Sequence, residues 1–140
     1  MRRLFVDTSA YFALTDKRDE NHEAAVRFIH QLIKEGAELL TTNYIVAETH
    51  TLLLNRIGYA AALRVLDELY KSQTRIYRVR ETEERKALEI IRTYTDKEFS
   101  LVDAISFATM ERFYVTQAFA FDHHFAQYGF SLLPAMSSSG

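Results

Sequence analysis

Hydrophobic and polar positions follow two alternating periodicities along the chain. Short apolar runs predict β-strands over residues 3–7, 37–41, 75–79, 117–121 and 130–133. Apolar residues three and four positions apart predict helices over residues 21–35, 43–56, 60–72, 82–94 and 101–113, and we interpret residues 8–20 as a charged loop. Strands separated by helices indicate crossover connections, so we expect an α/β fold with a central, mostly parallel sheet of four to five strands flanked by helices.

The chain of 140 residues suits one domain with an apolar core, because 48% of its residues are hydrophobic. We assign residues 1–134 to this domain. The last predicted strand is followed by the single proline, Pro134, and the segment after it ends in SSSG. We therefore expect residues 135–140 to be a flexible C-terminal tail or a remnant of an expression vector.

The absence of cysteine and the lack of long apolar segments limit the chemistry that the protein can perform and indicate the compartment in which it is found. A chain without cysteine forms no disulfide, thiolate nucleophile or cysteine-ligated metal site. Asp7 interrupts the apolar stretch near the N-terminus, which argues against a signal peptide, and no window reaches the roughly 18 apolar residues of a membrane helix. These features predict a cytoplasmic protein that does not enter a membrane.

Two acidic residues end predicted strands of the same sheet. Asp7 comes directly after the apolar run Leu4-Phe5-Val6, and Asp122 follows residues 118–121. In an open parallel sheet, ligands bind at the carboxyl ends of the strands, near the point where the strand order reverses. We therefore expect these two carboxylates to lie at one edge of the sheet.

Two further acids lie on predicted helices. Glu48 has Tyr44 and Leu52 one turn away on either side, which predicts that it shares a stripe facing the sheet. An acid on a buried stripe costs free energy unless it is paired or coordinated. Asp103 comes three residues after Ser100, and this capping-box spacing accounts for both residues without any function. Capping and metal binding are compatible, because the second carboxylate oxygen stays available.

Four carboxylates at one edge of a sheet would repel one another. Like charges about 4 Å apart cost about 4 kcal/mol per pair at an effective dielectric constant of about 20. A divalent cation relieves this repulsion, and ligands that are all oxygen favour Mg²⁺ or Mn²⁺ over Zn²⁺. Acid clusters that hold such ions hydrolyse phosphodiester bonds, so the pattern favours a metal-dependent nuclease.

Four segments together carry a family resemblance that covers about residues 3–134. They are FVDTSA at the first strand, NYIVAETHTLLLNRIG in the second helix, SLVDAISFATM in a later helix and AFAFDHHFAQYGFSLLP near the end. In this order and spacing, the chain resembles the PIN-domain ribonucleases and, within them, the VapC-type toxins of toxin–antitoxin pairs.

The resemblance implies a site, a reaction and partners. The metal-site acids of the family correspond to Asp7, Glu48, Asp103 and Asp122. Ser9 and Ser100 take the places of hydroxyl residues that support these acids. The family further implies Mg²⁺- or Mn²⁺-dependent endonucleolytic cleavage of RNA, a homodimer, and inhibition by a small antitoxin whose C-terminal segment lies in the cleft. No side chain in these motifs is an obvious nucleophile, so we expect no covalent intermediate.

The residues alone leave other functions open. A haloacid-dehalogenase-like phosphatase also has an aspartate after its first strand, but it needs a second acid two positions later, where this chain has Ser9. A receiver domain needs a lysine after its last strand, and no lysine follows Lys97. The third alternative is a non-catalytic PIN-like RNA- or protein-binding module, in which the acids only cap helices and form ion pairs.

Histidines and basic residues are the remaining candidates. His123 and His124 lack a third nitrogen ligand at a suitable spacing, and hard ions do not require one. We expect one of them to contact a phosphate or simply to begin the next turn, with Phe125 anchored in the core. Six basic residues between positions 75 and 92 form either an RNA-facing patch or a solvated helix face, and the second interpretation is favoured.

Overall fold

A computed structural model describes residues 2–135, in which five strands and seven helices follow one another. In chain order they are β1 (Arg3–Val6), α1 (Thr8–Thr15), α2 (His22–Glu35), β2 (Glu38–Thr42), α3 (Asn43–Arg56), α4 (Tyr59–Lys71), β3 (Arg75–Tyr77), α5 (Glu81–Thr93), α6 (Leu101–Arg112), β4 (Gln117–Phe119), α7 (His124–Tyr128) and β5 (Ser131–Leu133). Within this part of the chain, no helix is both long and apolar enough to cross a membrane. Of the predicted tail, only Ala135 lies among the described residues.

The five strands form one sheet in the order β3-β2-β1-β4-β5, and every strand pairs with its neighbours in parallel. The central strand is β1, whose residue Phe5 lies opposite Leu40 of β2 and Ala118 of β4. The predicted α/β architecture is confirmed. The strand order reverses between β1 and β4, so the carboxyl ends of these two strands flank the topological switch point, where ligands bind in such sheets.

Alternate residues of β1 face opposite sides of the sheet and lie in two cores. Phe5 packs in a core with residues of α5, α6 and α7, whereas Leu4 and Val6 pack in a smaller core with residues of α1 and α2. Phe107 and Phe125 in the first core are fully buried, with ring centroids 5.1 Å apart in an edge-to-face contact. Helices therefore cover both faces of the sheet, as parallel strands with continuous apolar runs require.

The sequence pattern misses two helices, α1 and α7. The first occupies most of the segment that was expected to be a charged loop, and it packs against both α2 and α3. Because α1 buries more than one side, it has no polar face and shows no helical periodicity. With 5 residues, α7 is too short for a period of 3.6 residues to be recognised.

The predicted helix ends are confirmed at two positions, one on each side of β2. Thr42 caps α3, since its hydroxyl accepts the backbone N–H of Ile45 at 3.1 Å. Gly36 ends α2 in the left-handed conformation, with φ of 69°, which a glycine adopts without strain. These two residues bracket β2, so the strand begins and ends where the sequence predicts within one residue.

Phe125→Ala is expected to lower the free energy of unfolding by about 3–5 kcal/mol, because its ring is fully buried between Phe5 and Phe107 and its loss leaves a cavity. Urea unfolding in EDTA measures the change. The control is Tyr114→Ala, since that side chain is 89% exposed and should contribute less than about 0.5 kcal/mol. Equal effects of the two substitutions would contradict the placement of Phe125 in the core.

Candidate active site

One cleft of about 380 Å³ contains all four acids that the sequence singles out. They are Asp7, Glu48, Asp103 and Asp122. They come from four separate elements: the residue after β1, the second turn of α3, the first turn of α6 and the segment after β4. The cleft opens beyond the carboxyl ends of β1 and β4, at the switch point of the sheet.

The strands end before the acids, which corrects the predicted strand boundaries. The predicted strands included Asp7 and reached residue 121, whereas β1 ends at Val6 and β4 ends at Phe119. The backbone N–H of Asp7 still donates to the carbonyl of Phe119, at 3.1 Å, which continues the pairing for one residue. Beyond that point the chain leaves the sheet, and Asp7 and Asp122 both reach the cleft.

The first turn of α1 holds Asp7. Its Oδ2 accepts hydrogen bonds from the backbone N–H of Ser9 at 3.1 Å and from the Ser9 hydroxyl at 2.6 Å. The same hydroxyl oxygen accepts the backbone N–H of Phe121 at 2.9 Å. Ser9 therefore joins the start of α1 to the segment that carries Asp122, and its hydroxyl holds the Asp7 carboxylate.

The capping box at the start of α6 is present and holds Asp103. The backbone N–H of Asp103 donates to the Ser100 hydroxyl at 3.0 Å, and the backbone N–H of Ser100 donates to Asp103 Oδ2 at 3.1 Å. Asp103 is buried, while Ser100 is exposed and does not line the cleft. Ser100 can therefore influence the site only through the orientation of Asp103.

His124 is the residue near the acids that sequence reasoning set aside. Asp122 Oδ1 accepts its backbone N–H at 2.9 Å, and its ring Nδ1 lies 2.7 Å from Asp103 Oδ2. As expected, one histidine of the pair begins the next turn and Phe125 is fully buried. The signal available in the sequence was the position of His124, two residues after an acid that follows a strand and directly before an anchoring phenylalanine.

Glu48 lines the cleft but does not lie on a buried stripe, so the expectation of burial was wrong. The buried face of α3 is formed by Ile45, Thr49 and Leu53, which are one position away from the predicted stripe. Residues 44 and 52, which were expected to face the sheet, are only half-buried. Glu48 therefore reaches the cleft from its open side and has access to water.

Burial and mutual repulsion disfavour charge in this cleft. The pKa of Asp7 is raised from 3.8 to about 6, mainly because burial removes water and partly because Asp122 and Glu48 repel it, while the Ser9 hydrogen bonds oppose the rise. The pKa of Glu48 is also raised, first by desolvation and then by the charges of Asp103 and Asp122. The cleft therefore carries more negative charge than its surroundings neutralise.

Arg56 brings positive charge to the cleft, from the last residue of α3. The basic residues between positions 75 and 92 do not line it. Arg85 pairs instead with Glu81 at 2.7 Å, one turn away on α5, and the Arg75 guanidinium lies over the ring of Phe113. Their arrangement supports the interpretation of that stretch as a solvated helix face.

Comparison with known proteins places the chain in a family. The family model described as "PIN domain" matches residues 4–131. The 23S rRNA-specific endonuclease VapC20 of Mycobacterium tuberculosis is 34% identical over 127 residues, which cover 91% of this chain and 95% of that protein. Ribonuclease VapC26 of the same organism is 29% identical over 111 residues, or 79% of each chain.

Solved structures agree with the sequence relatives. The crystal structure of VapC20, described as a sarcin–ricin loop cleaving toxin, has a TM-score of 0.83 and 34% identity, and covers 91% of this chain and 95% of that one. FitAcB from Neisseria gonorrhoeae has the same fold, with a TM-score of 0.65 at 17% identity over 92% of this chain and 95% of its own. This chain therefore belongs to the PIN-domain family and, within it, to the VapC-type toxins.

Proposed function

We propose that this chain is a metal-dependent endoribonuclease that hydrolyses RNA phosphodiester bonds and acts as the toxin of a type II toxin–antitoxin pair. The observation that carries the proposal is the meeting of Asp7, Glu48, Asp103 and Asp122 in one cleft at the switch point of the sheet. VapC20 and VapC26, which are named as an endonuclease and a ribonuclease, support the same class of reaction.

The chemistry of the cleft fits a hard divalent cation. Its acids offer oxygen, the ligand that Mg²⁺ and Mn²⁺ prefer. Lost hydration and mutual repulsion raise the pKa values of Asp7 and Glu48, and a bound cation would offset both effects. We propose that the four acids hold Mg²⁺ or Mn²⁺. When bound, such an ion supplies activation of water and stabilisation of charge on the leaving oxygen.

Residues beside the acids orient them and receive the RNA. Ser9 and Ser100 each hold one aspartate by hydrogen bonds. Arg56 supplies a positive charge that attracts the phosphate backbone. Phe12 and Phe121 line the same cleft and offer aromatic rings on which bases can stack. Water is the proposed nucleophile, because the chain has no cysteine and the two hydroxyls that line the cleft, those of Thr8 and Ser9, are engaged in hydrogen bonds within the protein.

Ribosomal RNA is the substrate class that we propose to test first. VapC20 is named for 23S rRNA, and its crystal structure is described as that of a sarcin–ricin loop cleaving toxin. Attack by water on the phosphorus, with the 3′ oxygen as the leaving group, is expected to leave a 5′-phosphate and a 3′-hydroxyl.

We further propose a homodimer, a small antitoxin partner and a cytoplasmic location. Apolar side chains at the end of α3 and along α4 support a protein interface, because Ile57, Tyr59, Leu63 and Tyr70 are between 39% and 73% exposed. Light scattering of the purified protein is expected to give the mass of two chains of 16.3 kDa each. A mass of one chain at micromolar concentration would contradict the dimer.

The purified protein is expected to cut ribosomal RNA in Mg²⁺ or Mn²⁺ and to stop in EDTA. Glu48→Gln should lower the cleavage rate by more than about 100-fold without lowering stability in EDTA, because Glu48 caps no helix and its charge is repelled by Asp103 and Asp122. The control is Glu89→Gln, an exposed glutamate on α5. Cleavage in EDTA, or RNA binding without any cleavage, would contradict the proposal and favour a non-catalytic binding module.

Asp7→Asn is expected to stabilise the metal-free protein. The folded-state pKa of Asp7, about 6, exceeds its ordinary value of 3.8, so the stability that this group contributes is lost as pH rises from about 4 to about 6. Above that range its ionisation costs up to about 3 kcal/mol. Asparagine keeps an oxygen for the Ser9 hydrogen bonds and can cap α1. Urea unfolding in EDTA should therefore show a larger gain at about pH 7.5 than at about pH 4.5.

Mg²⁺ should make the wild-type protein more stable than Asp7→Asn, which is the reverse of the order expected in EDTA. Its addition at about pH 7.5 is expected to raise the melting temperature of the wild-type protein and leave that of Asp7→Asn nearly unchanged, because binding to the folded state stabilises it. Asp67→Asn, which alters an exposed aspartate on α4, is the control. It should match the wild type in EDTA and show the same rise in melting temperature when Mg²⁺ is added. If Asp7→Asn were less stable than the wild type at about pH 7.5 in EDTA, the repulsive character of the cleft would be disproved.

A further inference from the structure

The ring of His124 joins two acids of the cleft that come from distant parts of the chain. Its Nδ1 lies 2.7 Å from Asp103 Oδ2 and 3.3 Å from Asp122 Oδ1. Asp103 belongs to the first turn of α6, whereas Asp122 follows β4. The facing atoms of the three side chains all lie within 4.8 Å of one another.

The chemistry of the two carboxylates decides which partner donates. An ionised carboxylate only accepts hydrogen bonds, so the ring nitrogen that faces both acids carries the proton and donates it. A donor between two like charges reduces their repulsion and fixes their separation. His124 Nδ1–H therefore holds Asp103 and Asp122 in one relative arrangement.

Hydrogen bonds occupy one oxygen of each aspartate and leave the other for the cleft. Asp103 Oδ2 accepts from the His124 ring and from the backbone N–H of Ser100, and Asp122 Oδ1 accepts the backbone N–H of His124. Within residues 2–135, the second oxygens, Asp103 Oδ1 and Asp122 Oδ2, accept no hydrogen bond from protein. These are the oxygens that remain available to a cation.

Packing fixes the position of the ring. The His124 and Phe99 rings meet edge to face, with centroids 5.6 Å apart and planes at 80°. Phe99 packs in turn on Phe107, which is fully buried, with centroids 5.0 Å apart. The next residue, Phe125, is also fully buried and anchors α7. The ring therefore approaches the acids from one side, supported by the core.

We propose that His124 is a positioning residue of the metal site, which orients Asp103 and Asp122 through its Nδ1–H. This inference deepens the proposed function and rests on it. The neighbouring His123 provides the contrast, because its side chain is exposed and forms no hydrogen bond or ion pair with residues 2–135. One histidine of the pair orients the acids, and the other faces solvent.

Single substitutions separate the contribution of the nitrogen from that of the ring. His124→Phe keeps an aromatic ring against Phe99 and removes the donor. His124→Asn removes the ring and keeps an N–H close to the position of Nδ1. His124→Leu is a second donor-free variant of smaller size, and His123→Phe is the matched control. Each protein is measured by calorimetric titration with Mn²⁺, by melting temperature in EDTA and by RNA cleavage at graded Mn²⁺ concentrations.

The donor-free variants are expected to bind Mn²⁺ about 10–100-fold more weakly than the wild type, as is typical when a group that orients metal ligands is lost. The Mn²⁺ concentration for half-maximal cleavage should rise by a similar factor. His124→Asn should restore most of the affinity, and His123→Phe should match the wild type. A merely structural role would lower the melting temperature in EDTA and leave the Mn²⁺ affinity unchanged.

Two results would overturn the inference alone. One is wild-type Mn²⁺ affinity in the donor-free variants while the wild-type protein binds Mn²⁺ and cuts RNA. The other is His124→Asn that binds as weakly as His124→Phe, since the N–H would then not be the group that matters. A wild-type protein that neither binds Mn²⁺ nor cuts RNA would instead overturn the proposed function, and this inference with it.

Discussion

Repulsion among the carboxylates of the cleft is the constraint that the rest of the site satisfies. The fold meets it by attaching each aspartate to the start of a helix. Asp7 caps α1, Asp103 completes the capping box of α6, and Asp122 accepts the first N–H of α7. Helix N-termini offer unpaired N–H groups and a partial positive charge. The hydrogen bonds at the start of three helices therefore also hold three carboxylates close together. In each aspartate they use one carboxylate oxygen and leave the other one free of these bonds.

The parallel sheet explains why three of the four segments that carry the acids begin at the same edge. A helix that follows a strand of such a sheet starts at its carboxyl edge, so α1, α3 and α7 begin near one another although they are distant in sequence. Glu48 reaches the cleft from the second turn of α3 and faces water. The Ser9 hydroxyl then joins the two segments on either side of the switch point. The sheet topology brings Asp7, Glu48 and Asp122 to one edge, and hydrogen bonds orient the three aspartates.

The sheet, most helices and the set of acids could be predicted because local patterns determine them. Apolar runs mark strands, and the Ser100–Asp103 spacing marks a helix start. Other features depend on contacts that no local pattern records. The helix α1 is buried on several sides and lacks a polar face, so it looked like a loop. Glu48 was expected to be buried. The buried stripe of α3 is shifted by one position from the expected one, so Glu48 is exposed instead. The contact of His124 with Asp103 spans 21 residues, and only the folded chain brings the two together.

Aspartates that both begin a helix and line the cleft affect how the sequence changes once activity is no longer selected. In a lineage that no longer needs RNA cleavage, selection for folding continues to act at the positions of Asp7 and Asp103, because losing a helix cap costs about 0.5–2 kcal/mol. Those positions would be restricted to residues that cap a helix, such as asparagine or serine. Glu48 carries no such restriction, since it caps nothing and faces water. Drift of the glutamate beside two retained capping residues would distinguish an inactivated descendant from a working enzyme.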